Sequence, residues 1–301
     1  MRAALAEPAQ GGERMVKKRT AMERLLSEGF FDSKEAALPY LLSGAVYCGG
    51  ERVRTGGQAV DPALPMNVRG LYERYVGKGG YKLEGALADF GVSARERVCI
   101  DAGACTGGFT DCLLQHGAGL VYAVEVGFGQ LAGSLGQNPK VVNLERTNLG
   151  DERLLHLEPP PDLGSVDLSY LSLEKAVPQF RAILRERGEL LCLVKPLFET
   201  DDASARRTGE IDAAEYLPLL RRIIGALNRQ EHTTVLGVTH SHVTGNNGTY
   251  EFFLHVAFGR EGAAPALDGQ AALAGERALA LPRYRKAEGG ASLIAKGEAP
   301  G

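Results

Sequence analysis

The chain alternates short apolar runs with longer stretches whose apolar residues recur every three or four positions. Val98–Ile100, Leu120–Val124, Val141–Leu144, Val166 within 162–170, Leu190–Val194, Thr233–Val238 and Tyr250–Val256 read as strands. Asp111–His116, Leu173–Arg187 and Glu210–Gln230 read as helices, as does the segment after Gly80, with Leu83, Ala86, Leu87 and Phe90 on one face. Another helix is expected after Gly127–Leu131. Strands that alternate with helices predict an α/β domain built on a parallel sheet.

Upstream the pattern changes. Residues 15–76 read as a small separate α+β unit. Thr20 and Glu23 have the spacing of a capping box, and a second helix opens near Asp32–Glu35 and stops at Gly44. Pro39 should bend that helix. Ala45–Cys48, Gly49-Gly50 and Glu51–Arg54 read as a hairpin. Leu71–Gly80, ending Gly-Lys-Gly-Gly, reads as a flexible basic joint. The expected domains are therefore 15–76 and 77–260. A disordered extension over 1–14 precedes them, and a tail over 261–301, rich in Ala, Gly, Pro and charge, is also expected to be disordered.

Composition narrows the classes. Hydrophobic residues make up 44% and charged residues 24% of 301 positions, as in ordinary globular proteins. The formal net charge is −3, so any nucleic-acid contact must come from a local basic patch. No apolar run approaches a membrane span, and Met1–Arg14 has no signal core. Five cysteines without a C-x-x-C pair argue against structural zinc and a disulfide framework, so no metal is expected. A cytoplasmic, monomeric protein that does not engage membranes is the expectation.

The richest chemistry lies at the first strand of the α/β region. Asp101-Ala102-Gly103-Ala104-Cys105-Thr106-Gly107-Gly108 is a glycine turn between strand and helix. It lacks the Gly-Lys-Ser/Thr of a phosphate loop and the spacing of the dinucleotide fingerprint. A carboxylate at the strand end suits the amino group of a zwitterion such as S-adenosylmethionine (SAM) better than a pyrophosphate. Glu125 closes the next strand, about 20 residues on, where ribose hydroxyls are received. Asp101, Gly103, Ala104, Gly107, Gly108, Phe109, Glu125 and Asn148 are the candidate cofactor contacts, although a loop Asn is more often a turn residue. Lys82, Asp167, Lys195 and Glu251 form the candidate catalytic set, because three of them stand at predicted strand ends. A lysine becomes a general base when burial and a second cation lower its pKa from about 10.4.

Asp-Ala-Gly-Ala-Cys-Thr-Gly-Gly-Phe-Thr-Asp, Tyr-Ala-Val-Glu-Val-Gly-Phe-Gly-Gln-Leu, Leu-Glu-Arg-Thr-Asn and Val-Lys-Pro-Leu-Phe-Glu resemble the TlyA family over roughly residues 15–258. That family joins an S4 RNA-binding domain to an FtsJ-like methyltransferase domain, and its members are described as haemolysins or ribosomal RNA 2′-O-methyltransferases. The resemblance implies a Rossmann-like SAM-dependent methyltransferase domain preceded by an S4-type domain. It also implies a Lys82-Asp167-Lys195-Glu251 tetrad with Lys195 as base, and ribosomal RNA or ribosomal subunits as partner. Lys18, Arg19, Arg24, Lys34, Arg52, Arg54 and Lys78 are the expected RNA contacts. Glu125 stands where the family usually has Asp, and Leu197 where it usually has Gln. The competing expectations are an inactive RNA-binding or ribosome-assembly protein, a membrane-active haemolysin, and a small-molecule O-methyltransferase.

Overall fold

The computed structural model describes residues 19–281 apart from 29, 32, 63, 69–73, 246, 247 and 261–264. Lys18, the segment 1–14 and residues 282–301 lie outside the described residues. The chain forms two compact units that divide between residues 73 and 74.

The first unit runs β1 (Arg19–Thr20), α1 (Ala21–Ser27), α2 (Lys34–Ser43), β2 (Val46–Cys48), β3 (Glu51–Arg52), β4 (Ala59–Val60) and β5 (Met66–Val68). The Thr20–Glu23 capping box forms, with the Thr20 hydroxyl accepting from the Glu23 N–H and the Glu23 carboxylate accepting from the Thr20 N–H. The α2 helix continues through Pro39, which stands on its exposed side, and Gly44 follows it at φ +73. β2 pairs antiparallel with β3 and with β5, and β1 with β4. Ala21, Leu25, Phe31, Leu41, Val46, Val53 and Val68 fill its core. Each large one contributes about 1.5–3 kcal/mol on burial.

The second unit runs α3 (Gly79–Phe90), β6 (Val98–Ala102), α4 (Gly108–Gln115), β7 (Leu120–Glu125), α5 (Gly133–Gly136), β8 (Val141–Glu145), β9 (Leu163–Val166), α6 (Leu173–Ile183), β10 (Glu189–Val194), α7 (Pro196–Glu199), α8 (Ala203–Thr208), α9 (Tyr216–Asn228), β11 (Thr233–His240), β12 (Phe252–Phe258) and α10 (Asp268–Ala280). Its sheet has the order β11-β12-β10-β9-β6-β7-β8. The run from β10 to β8 is parallel, and β12 inserts antiparallel between β10 and β11. Strands buried on both faces read as near-continuous apolar runs. Leu190, Cys192 and Val194 pack on one face with α6, α9 and α10, and Leu191 and Leu193 on the other with α3 and α4. This is a Rossmann-like α/β fold.

Two expectations are corrected. The 261–301 segment is not wholly irregular, because α10 forms within it and buries Ala271, Ala274 and Ala278 in the larger core. Small side chains at three- and four-residue spacing give a helix a packing face that an Ala-rich composition conceals. Nor is Gly77–Gly80 a free joint. The second unit starts at Arg74, ahead of the expected 77. Tyr75 is buried in its smaller core, the Val76 N–H donates to Asp111, and Gly79 and Gly80 open α3. A Cβ on Gly80 would lie 2.2 Å from the Tyr75 ring, so that glycine permits close packing.

Candidate active site in the second unit

Going outward from β6, the strand order runs to β7 and β8 on one side and to β9 and β10 on the other. The crevice outside the carboxyl ends of β6 and β9 is thus a topological switch point, where open α/β sheets bind ligands. The glycine turn occupies it. Gly103 has φ +87, and a Cβ there would stand 2.3 Å from the Asp167 carbonyl oxygen. Gly107 has φ +96 and caps α4. The Gly103 and Ala104 N–H groups both donate to the Val124 carbonyl, which pins the turn to the end of β7. Cys105 and Thr106 form its exposed tip.

Asp101 sits beneath this turn. It is fully buried, and its two carboxylate oxygens accept from the Thr110 hydroxyl at 2.8 Å and the Ser165 hydroxyl at 3.0 Å. Burial pushes its pKa up to about 7, against the pull of those hydroxyls. Asp101 therefore braces the turn from inside and does not present its carboxylate to the crevice, contrary to expectation. Phe109 is also corrected: it points into the core and packs against Phe253, with ring centroids 6.0 Å apart. Ala104, Gly107 and Gly108 are buried backbone of the turn. Glu125 is half-buried at the end of β7, and its carboxylate accepts from the Cys105 N–H at 2.9 Å and the Gly127 N–H at 2.8 Å. Asn148 is exposed, and its side-chain oxygen accepts from the Gly150 N–H at 2.8 Å, the local turn bond that competes with a ligand role.

The four candidate catalytic residues gather at the same edge of the sheet. Asp167 follows β9 and Lys195 follows β10, which are parallel neighbours. Because β12 runs antiparallel, its start meets the carboxyl end of β10, with Phe252 opposite Val194. That places Glu251 at the edge where the parallel strands end. Lys82 reaches in from the first turn of α3, and its Nζ lies 2.5 Å from Glu251 Oε2. Both residues are under 10% exposed. Burial raises the Glu251 pKa, while Lys82 opposes the rise, and Asp167 and Lys195 also act on it. Lys195 forms an ion pair with Asp167 and donates to the Ser169 hydroxyl at 2.9 Å. The result is two linked lysine–carboxylate pairs, one sealed and one closer to solvent.

Lys78, expected as an RNA contact, belongs with this group. It donates to the Gly245 carbonyl at 3.2 Å, and burial together with nearby Lys82 lowers its pKa. Tyr170, Ser169, Thr110 and Ser165 were not singled out from the sequence. Tyr170 is half-exposed, and the partial burial of its hydroxyl raises its pKa. The signal for Ser169 and Tyr170 was their place just beyond a strand end.

In the first unit, Arg19, Lys34, Arg52 and Arg54 are exposed. Arg24 is not available for RNA, because it is only 4% exposed. It pairs with Glu28 at 2.6 Å and donates to the Asp61 and Leu64 carbonyls at 2.6 and 2.9 Å. A helix-borne arginine facing the core satisfies loop carbonyls that would otherwise be orphaned.

Residues 75–258 match the FtsJ-like methyltransferase family. A Bacillus subtilis protein named "Putative rRNA methyltransferase YqxC" is 37% identical over 251 residues, covering 82% of this chain and 89% of its own length. TlyA of Mycobacterium tuberculosis, named 16S/23S rRNA (cytidine-2′-O)-methyltransferase, is 35% identical over 236 residues, covering 76% of this chain and 86% of its own length. A solved structure named "Putative hemolysin from Streptococcus thermophilus" matches with a TM-score of 0.62 and 32% identity, over 86% of this chain and 96% of that one. With its glycine turn, its paired lysines and carboxylates and relatives of this identity and coverage, the chain belongs to the FtsJ-like methyltransferase family, in its TlyA group.

Proposed function

We propose that this chain is a SAM-dependent ribosomal RNA 2′-O-methyltransferase in which Lys195 deprotonates the ribose hydroxyl. The observation that carries the reading is the pair of lysine–carboxylate contacts beside a glycine turn at the switch point of the sheet. The crevice fits the cofactor. The turn lets backbone approach a ligand at Gly103, where a Cβ has no room. The Glu125 carboxylate, already anchored by two N–H groups, has further acceptor capacity for ribose hydroxyls. Bound there, SAM supplies an electrophilic methyl group on a sulfonium.

The chain's own residues then prepare the nucleophile. Asp167 and Ser169 hold the Lys195 amine at the carboxyl end of β10. In its neutral form that amine takes the proton from the 2′-hydroxyl as the oxygen–methyl bond forms and the sulfur–methyl bond breaks. The sealed Lys82–Glu251 pair fixes the floor of the site and adds the positive potential of a second lysine. The exposed Arg19, Lys34, Arg52 and Arg54 make the first unit, read as S4-type, a phosphate-contacting surface. A cytoplasmic setting agrees with five free cysteines. Among the described residues no helix is long and apolar enough to cross a membrane.

The test is transfer of a labelled methyl group from SAM to purified 30S and 50S subunits, with Lys195→Ala in parallel. Alkali-resistant dinucleotides made by the wild type and lost in the variant are expected. Transfer retained by Lys195→Ala refutes the base assignment. SAM and RNA binding without transfer to either subunit refutes the enzyme reading.

A further inference from the structure

Outside the tetrad, a second cluster of chemically capable side chains joins α3 to the end of β11. Asp89 lies near the carboxyl end of α3, and His240 and His242 stand two residues apart where β11 ends. One ligand atom from each residue lies within 4.8 Å of the other two. His242 Nε2 is 3.0 Å from Asp89 Oδ2, and the same oxygen accepts from the Thr239 hydroxyl at 2.5 Å. The two imidazole rings are tilted by 31° to one another, with centroids 4.9 Å apart.

The helix gives way to this cluster. A Cβ on Gly85 would lie 2.6–2.8 Å from three atoms of the His242 ring. Glycine in a helix interior costs about 1 kcal/mol relative to alanine, so its place here has a packing reason. Gly85 falls between Lys82 and Asp89, about one helical turn from each, which sets the cluster on the flank of the helix that carries Lys82.

We infer that Asp89, His240 and His242 form a binding site for a divalent transition-metal ion of the zinc class. Two imidazoles and one carboxylate are a ligand set that such ions favour over magnesium or calcium. Tetrahedral zinc with nitrogen and oxygen ligands needs them about 3.4 Å apart, so side-chain rotations of these partly exposed groups bring them within bonding range. The ion replaces the proton shared by His242 and Asp89. The protein provides three ligands and solvent the fourth.

The local geometry suits this, because the Thr239 hydroxyl and the His242 ring already hold the Asp89 carboxylate against the two imidazoles. Arg277 on α10 is the nearby cation that opposes the ion. A bound ion ties α3 to the strand end next to Glu251, since the Ser241 N–H donates to the Glu251 carbonyl.

The experiment uses the full chain, stripped with chelator and titrated with Zn²⁺ by calorimetry and with Co²⁺ by visible absorption. One equivalent should bind, the cobalt spectrum should show d–d bands of nitrogen–oxygen coordination, and the melting temperature should rise with Zn²⁺. His242→Gln and Asp89→Asn should each weaken binding at least tenfold while leaving the chelator-treated melt and SAM binding near wild type. If a variant fails to fold, His240→Gln provides the same comparison. Absence of binding, binding unchanged in the variants, or a sulfur-to-cobalt charge-transfer band marking a cysteine site overturns the inference.

Discussion

The sealed lysine–carboxylate pair makes the sharpest energetic prediction. Lys82 Nζ and Glu251 Oε2 are 2.5 Å apart, with both residues under 10% exposed. At an effective dielectric near 20, their gross attraction is about 7 kcal/mol. Desolvation costs several kcal/mol for each ion, so the pair nearly cancels as a whole. Removing one partner does not cancel, because the other charge stays buried. Lys82→Met and Glu251→Gln should therefore each destabilise the second unit by about 3–5 kcal/mol. The double variant should cost less than either single change, because it leaves no uncompensated buried charge. Lys195→Met, whose partner pair is nearer solvent, should cost about 1 kcal/mol or less while abolishing methyl transfer. The chain has no tryptophan and ten tyrosines, so urea unfolding is followed by far-UV circular dichroism and tyrosine fluorescence. Singles costing less than about 1 kcal/mol, or costs that simply add in the double variant, would refute the argument.

Gly107→Ala places a Cβ 2.2 Å from Leu135 Cδ1 at φ +96, so it should cost about 1–3 kcal/mol and sharply weaken SAM binding in a calorimetric titration. Asp101 holds a proton up to about pH 7 in the folded state but only to its ordinary 3.8 when unfolded, so its contribution falls as pH rises through that window, by about 4 kcal/mol in all. Asp101→Asn should flatten that part of the stability–pH curve between pH 4 and 7, and an unchanged slope would show that Asp101 is not the group responsible. Arg24→Met should destabilise the first unit by about 1–3 kcal/mol by orphaning two carbonyls, with little change in the salt dependence of RNA binding. Arg52→Gln should do the reverse, lowering the salt slope by about 1 with an unchanged melt.

The alternation of apolar runs with helical stretches revealed the α/β architecture because parallel strands, buried on both faces, keep an unmistakable apolar signature. Residues at strand termini were equally legible: Asp167 and Lys195 follow parallel strands and Glu251 opens the antiparallel β12, so all three meet at one edge of the sheet. What escaped was orientation. Asp101 and Phe109 lie within the glycine motif yet face inward, since β6 and α4 each turn a face to the same core. Arg24 carries the charge of a nucleic-acid contact but is spent on loop carbonyls, and only three-dimensional closure reveals that debt. The α10 helix escaped because alanines at helical spacing resemble a low-complexity tail.

The antiparallel insertion of β12 also sets the order in which this protein can mature. The Lys82–Glu251 contact joins residues 169 positions apart, and β11 meets the rest of the sheet only through β12. During synthesis, at about 5–20 residues per second, β6 to β10 can assemble while β11 is still without its only neighbour. Until residues 251–258 emerge, the backbone of β11 has no strand to pair with, Lys82 lacks its carboxylate, and no half-made chain holds the four-residue site. Competence for chemistry therefore arrives as a late, all-or-none event, and a truncated chain ending before β12 is both inert and prone to aggregate.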